Sequence, residues 1–213
     1  MNDPIRLLHK AFELLLKAET IDEVEGILNN LKVEDKYKIS TESYPQLRVK
    51  ITRSEIKGLR ATGVIKDNLI GHFDATDPLT KLLYALAWKN GDLKKVRHIV
   101  QGICLNENQN NESGLVFNQF GRHLSGEQGE PIVDQHVLRA FGIFQAKNNK
   151  AEIEKGRRLK TVKKEHYGLI ENYKKWLQND LTKRLREQPN YAYHVDKVLF
   201  AIGKKVKVRR NSK

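Results

Sequence analysis

Apolar positions recur along most of this chain at intervals of three and four, the spacing that stacks side chains on one face of an α-helix. Ile5, Leu8, Phe12, Leu15 and Leu16 make the first such stripe, with Asp3 placed to cap it and Pro4 at its first helical position. Thr20–Glu23 and Thr52–Glu55 have capping-box spacing and predict helices running to about Leu31 and onward from Ile56. Residues 36–51 alternate loosely around Tyr44-Pro45, which predicts a loop or at most a short strand pair. A helix from Asp77-Pro78 should bury Leu79, Leu82, Leu83, Leu86 and Ala87 and stop at Asn90-Gly91. Asp92 then caps a helix with Val96, Ile99, Val100 and Ile103 inward, and so tight a connection predicts that the two pack together. Asn106–Ser113 reads as a polar loop. Residues 114–124 read as a helix, Ser125–Pro131 as a Gly-rich turn, and Asp134 as the start of the next helix. Ile153–Arg186 reads as one long basic helix ended by Pro189, and Tyr193–Ile202 as a closing helix. Trp88 and Trp176 both fall on apolar stripes and are expected in the core. No run of strands could build a sheet, so the expected architecture is all-α.

Length changes this picture little: 213 residues suffice for a buried core in one good-sized domain or two small ones. The expected organisation is an N-terminal helical segment over 1–76, a helical domain over 77–203 and a disordered basic tail over 204–213. The single Cys104 excludes an internal disulfide and a thiolate metal cage. The longest apolar run, Leu82–Trp88, is far short of a membrane span. The opening residues lack a basic start followed by an apolar block, so a cytoplasmic protein is expected, nucleoid-associated if bacterial.

Charge is unevenly distributed along the chain. The net +13 divides into an excess of 0 over residues 1–76, +2 over 77–150 and +11 over 151–213. Positive charge gathered in one third of the chain suits a surface that faces phosphates, although a solvated helix face with a basic tail would have the same composition. The seven histidines show no metal-ligand spacing, and no P-loop, G-x-G-x-x-G or G-x-S-x-G is present, so no metal or cofactor is expected. If 114–124 is helical, Asn118 and Arg122 share a face at i, i+4 spacing, with Phe117, Phe120 and Leu124 turned mostly elsewhere. Asn118, Gln119 and Gln135 are suitable types for reading the edge of a base; alternatively, Asn118 and Gln119 are ordinary exposed helix residues.

The chemistry concentrates in Pro131-Ile132-Val133-Asp134-Gln135-His136-Val137-Leu138-Arg139. Asp134 at an N-cap would receive backbone N–H bonds that favour its ionised form and lower its pKa. An anion held ready at a cleft can stabilise a developing cation; by itself, the same residue is a helix cap.

This string resembles the Val-Asp-x-His-(Val/Ile)-x-Arg signature of the helix-hairpin-helix DNA glycosylases, which are base-excision repair enzymes. The resemblance implies a helix-hairpin-helix fold with Asp134 catalytic: it would stabilise an oxocarbenium-like deoxyribose or activate the nucleophile as a damaged base leaves. His136 would support the segment, and Arg139 matches the motif's arginine. Asn118, Gln119 and Gln135 would join the base pocket, set between the 78–124 helices and the 134–146 helix. Gly114, Arg122, Arg139, Lys160, Lys163, Lys164, Lys204, Lys205, Arg209 and Arg210 would contact DNA. The family's hairpin reads Leu-Pro-Gly-(Val/Ile)-Gly about twenty residues before its Asp; here only Gly114 stands in place. Val116 occupies the position of the Schiff-base lysine of bifunctional members, which implies a monofunctional enzyme. One cysteine excludes an iron–sulfur cluster. The implied partner is double-stranded DNA with a flipped base, with no membrane and no obligate protein partner; a non-enzymatic nucleic-acid-binding protein on the same scaffold is the alternative.

Overall fold

Pro4–Lys17 (α1) and Ile21–Asn30 (α2) begin where their caps predict. Asp3 accepts the Ile5 N–H at 2.9 Å, and Thr20 and Glu23 complete a reciprocal capping box. The structure, a computed structural model, describes residues 3–40, 42, 47, 49–66, 69–70 (backbone), 78–104 and 114–208. The Tyr44-Pro45 loop, the Asp77 cap, the 106–113 loop, Arg209 and Arg210 lie outside the described residues. The described chain is predominantly helical. It divides into two units, one of 1–47 with 128–213 and the other of 48–127.

The second unit holds Arg53–Ala61 (α3), opened by the Thr52–Glu55 capping box, and a minimal antiparallel ladder of Ile65–Lys66 (β1) on Leu69–Ile70 (β2). Pro78–Lys89 (α4), Leu93–Cys104 (α5) and Leu115–Leu124 (α6) complete it. Its core is Ile56, Ile65, Val100, Ile103 and Leu124. Two expectations are corrected here. The main partner of α5 is α6, not α4, because Gly102 and Gly121 let the two backbones approach until a Cβ at either would overlap a carbonyl of the other helix. The α4 stripe is exposed rather than buried: Leu79, Leu82, Leu83 and Leu86 are 58–69% exposed, and Trp88 lies outside with them at 66%.

The first unit closes around Tyr191–Val206 (α11), after Gln135–Gln145 (α7), Lys150–Arg157 (α8), Tyr167–Asn179 (α9) and Lys183–Arg186 (α10). Packed against α11 are α7, α1 and α2. Phe12, Phe141, Phe144, Tyr173 and Trp176 form a contiguous aromatic core, Phe12 stacked on Phe144 at 4.0 Å. The N-terminal helices are therefore not a separate segment. Thr182 donates to the Ala18 carbonyl at 2.6 Å, and Gln188 brackets the start of α2 by accepting from Ile21 N–H and donating to the Glu19 carbonyl.

The expected 153–186 helix is three. Leu159–Lys163 leave the helical path after the α8 C-cap, Arg158, and Thr182 starts α10 by accepting the Leu185 N–H. At the chain's far end, α11 extends through fully buried Val206, so Lys204 and Lys205 are helical rather than part of a disordered tail.

Candidate functional site

Asp134 caps α7 in extended backbone geometry, and one of its oxygens, Oδ1, accepts both the His136 N–H (2.6 Å) and the Val137 N–H (2.8 Å). The other, Oδ2, receives no hydrogen bond from any described residue. The side chain is half-buried. That burial pushes its pKa up, against the two N–H bonds and the nearby Arg139 charge, so the expected lowering is corrected: desolvation outweighs the cap.

The segment leading to Asp134 is clamped from beneath. Glu130 and Lys174 form a buried ion pair at 2.9 Å. The Ile132 N–H donates to Asp196 Oδ2 at 2.7 Å, and the Tyr173 hydroxyl donates to Asp196 Oδ1 at 2.6 Å. Asp196 is buried, and desolvation raises its pKa well above the ordinary aspartate value, against the hydrogen bonds from Tyr173 and Ile132 that favour the charged form. Sequence reasoning missed this group. Its signal was a carboxylate on an otherwise apolar face, one turn after Ala192 and one before Leu199; Lys174 repeats the sign between Tyr173 and Leu177.

His136 is half-buried, its ring edge-on to Phe200 with centroids 4.9 Å apart. Burial, with the Arg139, Lys207 and Lys204 charges behind it, lowers its pKa to about 4. The imidazole is therefore neutral at pH 7, with Nδ1 accepting from the Arg139 guanidinium at 2.6 Å and Nε2 carrying the hydrogen. Arg139, expected to face a phosphate, is turned inward. It is fully buried, donates to the Gly203 carbonyl at 2.9 Å and to the Leu159 carbonyl, and so ties α7 to α11 and to the chain after α8.

The remaining expected residues scatter. Gly114 starts α6 at a φ of 66°, with the His98 ring packed where a Cβ would stand. Asn118 and Gln119 are not exposed helix residues: both are buried, and the Asn118 carbonyl faces Gly102 of α5. Arg122 is half-buried in the same unit. In the first unit, Gln135 is half-buried, while Lys160, Lys163 and Lys164 are exposed. Lys204 lies over the Phe200 ring, on the His136 side, whereas Lys205 is neutralised by Glu34 and covers the Tyr37 ring. The structure thus brings Asp134, His136 and Arg139 together with Lys204, and assigns Gly114, Asn118, Gln119 and Arg122 to the other unit.

Among the described residues no group of three or more His, Cys, Asp or Glu side chains could hold a metal ion, and no helix is long and apolar enough to cross a membrane. No protein-family model matches the chain, and neither a curated protein nor a solved structure matches it.

Proposed function

We propose that this chain is a monofunctional DNA base-excision glycosylase in which Asp134 assists hydrolysis of the N-glycosidic bond of a damaged or modified base. The observation that carries the reading is the division of labour within one carboxylate: Oδ1 is fixed by two backbone N–H groups, while Oδ2 is oriented by them and left unspent. A carboxylate whose direction is set by backbone costs little reorganisation when a cation develops beside it. Its raised pKa also makes it a better proton acceptor than an ordinary aspartate.

In the proposed reaction the C1′–N bond breaks with its electron pair leaving on the base, which takes a proton from solvent. A water oxygen bonds to C1′ and gives its proton to Asp134. Neutral His136 takes no part in proton transfer; it holds the first turn of α7 through Arg139. Val116 in place of a lysine leaves no amine to form a Schiff base there, so the product is an abasic site in an intact strand. Lys160, Lys163 and Lys164, exposed on the first unit, supply phosphate contacts.

The test is incubation of the purified protein with oligonucleotide duplexes bearing oxidised, deaminated or alkylated bases, followed by detection of abasic sites. Base release from at least one duplex, without strand cleavage, is expected. Binding to all of them with release from none would instead support the non-enzymatic nucleic-acid-binding reading, which the lone hairpin glycine Gly114 favours.

A further inference from the structure

A pocket of about 740 Å³ opens in the first unit between the C-terminal half of α7 and the outer face of α9, with His9 of α1 at its edge. It lies at the opposite end of α7 from Asp134 and belongs to no part of the proposed excision site. Its floor is the aromatic core: Phe141, Phe144 and Trp176 line it. Around them stand four exposed carboxamides, Gln145, Asn148, Asn172 and Asn179, whose side chains make no hydrogen bond to a described residue. The ammonium groups of Lys147 and Lys175 make no ion pair there, and Asp180 is the one carboxylate in the lining.

Each of these features restricts the ligand. The volume lies within the range of small-molecule sites. Phe144, half-buried with one face against Phe12, and the small exposed part of Trp176 give the floor an apolar surface that an aromatic ring can pack against. Carboxamides each offer a donor and an acceptor, the pairing that alternates along the edge of a nucleobase and that neither a hydrocarbon nor a simple anion would use. Two ammonium groups against one carboxylate call for an anionic end, and a phosphate needs only point charges there.

We infer that this pocket binds a nucleoside 5′-phosphate, base packed against Phe144 at the aromatic floor and phosphate between Lys147 and Lys175, either as a free nucleotide or as one unit of a nucleic-acid strand. The site is independent of Asp134 and of the proposed excision.

The experiment reads Trp176 fluorescence. The chain has two tryptophans, and Trp88 is largely exposed, so Trp88→Phe leaves Trp176 as the sole reporter without disturbing a core. The full chain is titrated with AMP, GMP, CMP and UMP, with adenosine, with inorganic phosphate and with a short single-stranded oligonucleotide. Saturable quenching by at least one nucleotide is expected, with adenosine and phosphate alone weaker. Lys147→Ala with Lys175→Ala, both surface changes, should weaken binding by about tenfold or more. Response to the oligonucleotide alone, with the same dependence on the two lysines, makes a strand the natural source of the ligand. No saturable response to any of these, or binding that ignores both lysines, overturns the assignment. Asp134→Asn should leave the titration unchanged, so failure of this site and failure of the excision reading are read separately.

Discussion

A carboxylate and an imidazole two residues apart are driven in opposite directions by the same burial. For Asp134 desolvation raises the pKa, and for His136 it lowers it to about 4. The proposed excision needs ionised Asp134, so activity should fall as pH drops through its raised pKa, in a range where an ordinary aspartate is still charged. The stability consequence at His136 has its own sign. The unfolded chain protonates this histidine near its ordinary value of about 6.5 while the fold resists until about 4, so the unfolded state gains protons first and stability falls as pH decreases across that window. A His136→Gln variant, which keeps an acceptor for Arg139, should lose that part of the acid sensitivity. Thermal melts of the two proteins at matched pH check it, and parallel pH profiles would contradict it. Asp134, His136 and Arg139 were legible in the sequence as neighbours of one helix start. The internal role of Arg139 was not, because its acceptors at Leu159 and Gly203 come from residues distant in the chain.

Helix starts were the most legible feature at the level of elements, since a cap is a local bond: Asp3, Thr20, Thr52 and Asp134 all begin helices where their spacing placed them. What covers a helix is decided by residues far away, and α4 shows the limit. Its apolar stripe is strong in the sequence and exposed in the fold, while α5 turns to α6 through Gly102 and Gly121. Replacing Leu82 by Gln should therefore change stability by no more than about 0.5 kcal/mol in denaturant melts, and a loss typical of a core leucine would show that the stripe is covered. The α7–α11 crossing is the opposite case. A Cβ at Gly203 would overlap the His136 carbonyl, so Gly203→Ala should cost about 1–3 kcal/mol or more and disturb the first turn of α7 with it.

For the molecule as a whole, the chain leaves its first unit after α2 and returns at residue 128, so the helices at its two ends share one core. No composition shift marks that return, and the charge excess over 151–213 says only that the returning part is basic. Within that core, breaking the buried pair by Lys174→Ala leaves Glu130 without its cation and should cost about 3–5 kcal/mol, measured by chemical denaturation; a cost near that of a surface pair would place the two charges in solvent. The exposed lysines lead to a second expectation at this scale: DNA affinity should fall steeply with salt, the logarithm of the binding constant dropping by about 0.9 per contacted phosphate for each unit in the logarithm of salt concentration.

The most direct measurement of the central claim is single-turnover base release by Asp134→Asn beside the unaltered protein, with DNA affinity determined for both. Asparagine caps a helix as well as aspartate does, so the fold is retained while the negative oxygen is lost. Equal or tighter DNA binding with base release abolished is expected. Undiminished release by the variant would show that the carboxylate of Asp134 is a helix cap and nothing more.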